Sequence, residues 1–356
     1  MLLKKLLPLL LLLNAAISKA QNSNTVLWRI NNPANGKVSY LFGTIHLPQE
    51  KFMQLTDSVY QAINNTNVFY GELNYATLYS DMIDDHDGYY KSKLHYLDSV
   101  QKTPGWKRMV SSINNRYHVN IDPDSMEQVS KFGQDLLKDY MASEPGVVAL
   151  DIALAKYAIQ MGKKTKGLET FRFQMDMMYK IIDARVSDTT LLFNDEVALA
   201  ANMKRFYEKQ QMDSLTPIIE SMNKNYRSIV FDKRNATMAD SIAKITVGNS
   251  AFFAVGCGHL VGTNGLISLL RAKGLRLTPV FGDKKLSITK LGIFMDNLNR
   301  TVKKELRKKK PADDAMPVES IDEITPEMNV TPPTLRHYTS PKDQPQKKQP
   351  KKKGKG

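Results

Sequence analysis

The chain has 356 residues, of which 42% are hydrophobic and 24% charged, and its formal net charge is +14 at pH 7. This composition allows a substantial core and is ordinary for a globular protein. The basic excess lies near the two ends, so residues 21–300 are only mildly basic, which does not indicate nucleic-acid binding by the folded domain. A single cysteine, Cys257, excludes an internal disulfide.

The first twenty residues are typical of a secretory signal peptide. Lys4 and Lys5 precede an apolar run over residues 6–13, and the small residues Ser18 and Ala20 follow at the positions that cleavage requires. The apolar run is too short to span a bilayer comfortably. We therefore expect cleavage after Ala20 and export to the periplasm or out of the cell. An uncleaved anchor is the alternative.

The first part of the domain predicts a hairpin followed by a helix and a strand. Residues 25–30 and 38–42 are rich in β-branched and aromatic side chains, and turn-forming residues over 31–37 separate them. Apolar spacing over residues 53–64 predicts a helix, and residues 68–70 predict a strand.

Helical patterns dominate the middle of the chain. Residues 73–145 predict a helical insertion or cap over the sheet, and residues 171–245 predict several further helices. Between these blocks, residues 147–150 and 165–168 predict short strands, and residues 152–161 predict a helix.

The last strands predict a parallel unit. Residues 251–255 are entirely apolar, which indicates a central strand. A glycine-rich turn, a helix over residues 266–273 and a final strand over residues 275–280 follow, so a right-handed β-α-β crossover is expected.

We predict four segments along the chain, namely a signal peptide (1–20), one domain (21–285), a basic amphipathic helix (286–310) and a disordered tail (311–356). The tail is acidic and proline-rich, then lysine-rich, and cannot bury a core. Its lysines could contact an anionic lipid, polysaccharide or nucleic acid. A solvated tail without a specific contact is the alternative.

Four polar residues follow predicted strands directly. They are His46, Glu72, Glu169 and His259. Because ligands of α/β folds gather at the carboxyl ends of strands, these side chains are expected to converge on one divalent metal. Imidazole and carboxylate suit Zn²⁺, Mn²⁺, Co²⁺ or Fe²⁺, and a further carboxylate would serve as general base.

Each histidine also has a simpler interpretation. Gly43-Thr44-Ile45-His46 and Gly256-Cys257-Gly258-His259 are tetrapeptides that occur often by chance, and a single histidine near a strand end usually has a structural role. Their glycines, Gly43 and Gly258, are predicted to allow sharp turns and close backbone approach. Cys257 could be a nucleophile, but its apolar context favours a small buried residue.

Taken together, motifs in a fixed order resemble the TraB/GumN family, which includes the Tiki metalloproteases. The resemblance covers about residues 25–281. The matching motifs are Gly43–His46, Gly71-Glu72, Leu150-Asp151, Gly167–Thr170 with Gln174, Arg234-Asn235 with Met238, and Val255–Gly262 with Gly265 and Leu270.

The resemblance implies an α/β fold with a mixed central sheet, related to the erythromycin-esterase (EreA) and ChaN-like folds. It also implies a divalent-metal-dependent hydrolase, with His46, His259 and Glu72 as the required residues. Glu169 is the second carboxylate on the strand-end argument. Arg234 is a candidate to stabilise an oxyanion or bind a substrate carboxylate, and a surface salt bridge is its alternative.

The leading hypothesis is a secreted or periplasmic metal-dependent hydrolase, most simply a peptidase that uses Mn²⁺, Co²⁺ or Zn²⁺ on a peptide or protein substrate. Glu72 or Glu169 would take the proton from water. A non-catalytic protein that binds a peptide pheromone or a polysaccharide in the same cleft is one alternative. A hydrolase of esters or lactones is the other.

Overall fold

The fold is described from a computed structural model, which describes residues 24–289 apart from 79, 82–90, 139–141, 190 and 192. The predicted signal peptide, nearly all of the predicted basic helix and the predicted tail lie outside the described residues. In the part that is described, no helix is both long and apolar enough to cross a membrane.

The strands form one large sheet and one small sheet. They are β1 Leu27–Asn31, β2 Val38–Thr44, β3 Gln54–Thr56, β4 Val68–Gly71, β5 Lys164–Gly167, β6 Ala251–Gly256, β7 Arg276–Val280 and β8 Lys285–Ser287. The large sheet has the order β5-β4-β6-β2-β1-β7, and β3 pairs with β8 in the small one. Strands β5, β4, β6 and β2 are parallel neighbours, whereas β1 is antiparallel to both β2 and β7. The sheet is therefore mixed, as predicted.

The helices connect these strands, several of them in succession before β5 and before β6. They are α1 Asp57–Asn64, α2 Lys91–Gln101, α3 Pro104–Tyr117, α4 Met126–Leu136, α5 Leu150–Gln160, α6 Phe171–Ser187, α7 Asn194–Glu208, α8 Thr216–Ser221, α9 Lys224–Arg227, α10 Lys233–Gly248 and α11 Leu266–Ala272. A π-helical turn, Ser228–Asp232, joins α9 to α10, and a 3₁₀ turn, Cys257–His259, follows β6.

Helices cover both faces of the large sheet. The chain leaves β2 and β4 towards the β5 edge through α1 and α5, which contact each other through Tyr60 and Tyr157. It returns to β6 through α10 and then crosses to β7 through α11. Because crossovers between parallel strands are right-handed, these opposite directions place the two helix pairs on opposite faces. The apolar strand β6 is buried over residues 251–255, as expected for a central strand.

The helical insertion between β4 and β5 has a small core of its own. Trp106 and Ile113 of α3 are buried there with Val129 of α4. Trp106 Nε1 donates to the carbonyl oxygen of Pro123 at 2.7 Å, which satisfies the polar edge of the indole. The predicted insertion is therefore a packed helical unit.

Three predictions for individual elements were wrong or incomplete. Residues 147–149 are not a strand, and helix α5 begins at Leu150, because this segment pairs with no neighbouring strand. The strand over residues 276–280 is not the last one, since the chain turns back to form β8 against β3. Residues 286 and 287, predicted to be helical, belong to that strand. The β6-α11-β7 unit is parallel, but the hairpin strands β2 and β1 lie between β6 and β7.

Candidate functional site

The four polar residues predicted at strand ends do follow four adjacent parallel strands. His46 follows β2, Glu72 follows β4, Glu169 follows β5 and His259 follows β6. The chain leaves β4 in one direction across the sheet and β6 in the other, so the crevice between these strands is a topological switch point. This is where a ligand is expected in such a sheet.

Both histidines face one oxygen of Glu72. His46 Nε2 lies 3.8 Å and His259 Nε2 lies 3.6 Å from Glu72 Oε1. The amide of Gly256 donates to the same oxygen at 2.7 Å. Glu72 and His259 are buried, whereas the side chain of His46 is 50% exposed. Solvent therefore reaches this point from the His46 side.

The point that the three side chains face is kept open by Gly256. A Cβ at this residue would lie 3.2 Å from Glu72 Oε1, 3.3 Å from His46 Nε2 and 3.6 Å from His259 Cδ2. Gly43 has a different function, because its Cβ would lie 3.0 Å from Cys257 Cβ, where β2 packs against the turn after β6. The glycine that matters most for the site is therefore Gly256.

A carboxylate holds the other nitrogen of His46. His46 Nδ1 lies 3.1 Å from Asp151 Oδ1, in the first turn of α5. The second oxygen, Asp151 Oδ2, accepts a hydrogen bond from the hydroxyl of Tyr75. Asp151 is 4% exposed. A carboxylate behind an imidazole fixes the ring and raises its basicity, as in many metal sites.

An amide holds the corresponding nitrogen of His259. Asn235 Oδ1 lies 2.6 Å from His259 Nδ1, and Asn235 Nδ2 donates to the carbonyl oxygen of Asn264 at 2.8 Å. Because only the amide nitrogen can donate to a carbonyl, the amide oxygen must face the imidazole. His259 Nδ1 therefore carries the proton, and the Nε2 lone pair points towards Glu72.

Arg234 joins the two carboxylates. Its Nη2 lies 2.8 Å from Glu72 Oε2 and 2.7 Å from Glu169 Oε2, and its Nε donates to Glu169 Oε1 at 2.9 Å. The amide of Gln174, in the first turn of α6, also donates to Glu72 Oε2 and Glu169 Oε2. The remaining terminal nitrogen, Nη1, donates to the carbonyl oxygen of Val230. The guanidinium thus orients Glu72 and leaves only its Oε1 towards the histidines.

The charges of the site differ between the two histidines. Burial lowers the pKa of His259 to about 3, and Arg234 and His46 add to the effect, so this imidazole is neutral. Partial loss of hydration opposes protonation of His46, but the negative charges of Asp151 and Glu72 outweigh it and raise the pKa of this half-exposed imidazole well above the usual value. Burial alone would raise the pKa of Glu72, but the charges of His46 and Arg234 hold it well below its usual range. Glu72 is therefore ionised.

The donor set suits a divalent cation. Two imidazole nitrogens and one carboxylate oxygen are the ligands that Zn²⁺, Mn²⁺ and Co²⁺ accept. The lone pairs of the neutral His259 Nε2 and the ionised Glu72 Oε1 point towards each other. A cation between the two atoms would accept both lone pairs. Donors about 2.1 Å from a tetrahedral metal are about 3.4 Å apart, slightly less than the two distances here. Within the described residues, no three His, Cys, Asp or Glu side chains are already close enough to hold an ion, so ligation requires a small inward movement.

Cys257 takes no part in this chemistry. It is fully buried, and burial raises the pKa of its thiol to about 12. A protonated thiol without access to solvent is not a nucleophile. The interpretation of Cys257 as a small buried residue is therefore the one that the structure favours.

Comparison with known proteins identifies the family. The model of the TraB/PrgY/gumN family matches residues 26–279, which is more than half of the chain. The chain belongs to the TraB/PrgY/gumN family. Its sequence is also similar to metalloprotease TIKI2 of Danio rerio, with 22% identity over 316 residues, 71% of this chain and 60% of TIKI2. The chain thus spans 60% of the length of this relative. No solved structure was found to match, so the relation to EreA and ChaN-like folds stays a prediction.

Four further residues support the candidate site but were given no role from the sequence. Asp151, Asn235 and Gln174 stood inside the family motifs, which was the available signal for them. Tyr75 lies three residues after Glu72 and had no signal of its own. Asp151, Asn235 and Gln174 contact site residues directly, and Tyr75 bonds Asp151. The order of residues along the chain does not reveal such contacts.

The raised pKa of His46 predicts how metal affinity changes with pH. A metal on His46 Nε2 requires a neutral imidazole, so the Nε2 proton must leave while Nδ1 keeps its proton towards Asp151. Wild-type affinity should therefore fall as the pH is lowered below the raised pKa of His46, towards the ordinary histidine value of 6.5. Asp151→Asn should lower the pKa of His46 and flatten this dependence, while affinity at pH 8 falls about 10- to 100-fold because the ring loses its support. Titration with Mn²⁺ or Zn²⁺ at three pH values measures both effects.

The control for this prediction is Asp183→Asn, which removes an exposed carboxylate that accepts a hydrogen bond from Tyr96. It should leave both the affinity and its pH dependence unchanged. A wild-type affinity that does not vary over this pH range would contradict the assignment of His46 as a ligand that must lose a proton.

Proposed function

We propose that this protein is an exported metal-dependent hydrolase, most simply a peptidase. The observation that carries the proposal is the convergence of His46 Nε2 and His259 Nε2 on Glu72 Oε1, opposite a glycine that leaves room for an ion. The similarity to a protein named a metalloprotease supports the choice of peptide bonds. Export rests on the signal-like start of the sequence.

In this proposal His46, Glu72 and His259 hold the metal, which is Mn²⁺, Co²⁺ or Zn²⁺. When bound, such an ion would polarise the substrate carbonyl and lower the pKa of water. Asp151 and Asn235 keep the two imidazoles oriented with Nε2 towards the site. This division of labour between ligands and supporting residues is common in metal centres.

Glu72 is better placed than Glu169 to act on a bound group. The side chain of Glu169 is 3% exposed, and both of its oxygens are bonded to Arg234. Of the two glutamates, Glu72 is the one that presents an oxygen to the Nε2 atoms of both histidines. Glu169 and Arg234 are accordingly positioning residues in this proposal. The guanidinium binds the two carboxylates and does not contact the substrate.

The substrate would reach the site from the exposed side of His46, the ligand most open to solvent. A peptide or protein is the proposed substrate. The lysine-rich tail, outside the described residues, would add contact with an anionic surface.

A direct test measures cleavage of a peptide library by the purified protein loaded with Mn²⁺, Co²⁺ or Zn²⁺. We expect metal-dependent turnover, reduced at least about 100-fold in His46→Ala and in His259→Ala, because losing a ligand costs more than losing its support. Asp240→Asn, which removes an exposed carboxylate paired with Lys273, is the matched control and should retain full activity.

The same assay separates the alternatives. Metal binding with retained peptide affinity and no turnover would identify a binding protein. Hydrolysis of ester or lactone substrates without peptide cleavage would identify a hydrolase of another bond. Turnover that is indifferent to both histidine substitutions would contradict the proposed site.

A further inference from the structure

The loop after His259 is held by a side chain from helix α8. This GTNG loop consists of Gly262, Thr263, Asn264 and Gly265. The backbone amide and the hydroxyl of Thr263 both donate to Glu220 Oε1, at 3.0 and 2.8 Å. These two hydrogen bonds to a carboxylate connect the loop to helix α8. No site residue was predicted from the sequence in this helix.

The same loop determines which way Asn235 points. Asn235 is 2% exposed, and its Nδ2 donates to the carbonyl oxygen of Asn264, the residue after Thr263. That single bond places Asn235 Oδ1 at 2.6 Å from His259 Nδ1. An ordered sequence of contacts therefore runs from Glu220 through the GTNG loop and Asn235 to His259.

Reversal of the Asn235 amide would exchange its oxygen and nitrogen. The amide nitrogen would then face His259 Nδ1, which would have to accept, and the ring proton would move to Nε2. That proton would occupy the nitrogen that faces Glu72 Oε1. The tautomer of His259 thus depends on a carbonyl group that belongs to the loop.

We propose that Glu220 is a positioning residue that holds the GTNG loop, so that Asn235 keeps His259 in the Nδ1–H tautomer. The consequence for metal affinity rests on the proposed function, whereas the tautomer itself does not. Glu220 would thereby determine which ring nitrogen of His259 is free to bind a cation.

The position of Glu220 separates this role from a purely structural one. Glu220 is exposed, so its removal leaves no hole in the core. The loop also has bonds of its own, since Gly265 N donates to the carbonyl oxygen of Gly262 at 3.1 Å and Ser268 Oγ donates to the same oxygen at 2.9 Å. Loss of Glu220 should therefore loosen Thr263 and Asn264 without unfolding the domain.

The test uses full-length protein labelled with ¹⁵N-histidine, without metal. Long-range ¹H–¹⁵N spectra distinguish the two tautomers of each ring. Wild type should show His259 as Nδ1–H, and Glu220→Ala should show a mixture or the Nε2–H form. Zn²⁺ affinity measured by titration should fall about 3- to 10-fold in the variant, less than for a direct partner of a ligand. Thermal unfolding should be nearly unchanged.

Two further variants control the experiment. Thr263→Val removes one of the two bonds to Glu220 and should give a smaller change of the same kind. Asp240→Ala removes an exposed carboxylate of α10, paired with Lys273, and should change neither the spectrum nor the affinity.

The proposal is overturned if Glu220→Ala leaves His259 entirely in the Nδ1–H form, or if wild type already shows Nε2–H. Absence of Zn²⁺ binding by wild type would contradict the proposed function instead, while the spectra would still decide the role of Glu220. A fall in Zn²⁺ affinity with an unchanged tautomer would also count against it.

Discussion

Gly256→Ala is expected to abolish metal binding while the fold persists. The added methyl group would lie 3.2 Å from Glu72 Oε1 and 3.3 Å from His46 Nε2, in the space that an ion about 2.1 Å from each donor would occupy. The backbone angles of Gly256, φ −52° and ψ 135°, are open to alanine, so the loss would not come from backbone strain. Metal affinity should fall at least about 100-fold, as measured by titration with Mn²⁺, Co²⁺ or Zn²⁺.

The matched control is Gly248→Ala, at the exposed end of α10. A Cβ there meets nothing within 4 Å, so affinity and thermal stability should stay close to wild type. If Gly256→Ala bound metal as tightly as wild type, the ion would have to bind away from Gly256. A collapse of the fold, seen by circular dichroism, would show that the neighbouring side chains cannot move by a few tenths of an ångström.

Arg234→Met is expected to destabilise the metal-free protein by about 3–5 kcal/mol at pH 7, because it leaves Glu72 and Glu169 buried without their shared cation. The pKa of Glu72 is depressed in the folded protein, so its ionised form contributes stability near neutral pH, and that contribution is lost as the pH falls through the depressed value. The variant lacks part of this contribution. The difference in unfolding free energy between wild type and Arg234→Met should therefore become smaller below about pH 4.

Urea denaturation at several pH values measures this difference. Lys273→Met is the control, since its partner Asp240 is largely exposed and such surface pairs contribute about 1 kcal/mol or less. An Arg234→Met variant as stable as wild type at pH 7 would mean that the guanidinium is not needed to stabilise the two buried carboxylates.

Much of the fold could be predicted because its signals are local. The alternation and composition of the first two strands predicted the hairpin, and the all-apolar run over residues 251–255 predicted a central strand. The separation of β6 from β7 was not predictable, because the hairpin inserts β2 and β1 between them. Strand β8 was missed because three residues carry too little pattern.

In the candidate site too, the features with local signals could be predicted and the long-range contacts could not. Four residues could be found because each comes shortly after the end of a strand, and parallel strands end at one edge of a sheet. They are His46, Glu72, Glu169 and His259. The role of Arg234 could not be found, since its guanidinium reaches two carboxylates from a helix far along the chain. Sequence separation carries no information about such a contact.

By itself, the sequence determined the α/β class, the family motifs and the four residues at the strand ends, because these depend on local periodicity and on the glycines that end strands. The tertiary structure alone decided that Glu72 Oε1 is the atom that both histidines face, and that Gly256 keeps the space beside it open. It also decided that Asp151 and Asn235 orient the two rings. These are contacts between side chains from different elements, and only packing brings them within hydrogen-bonding distance.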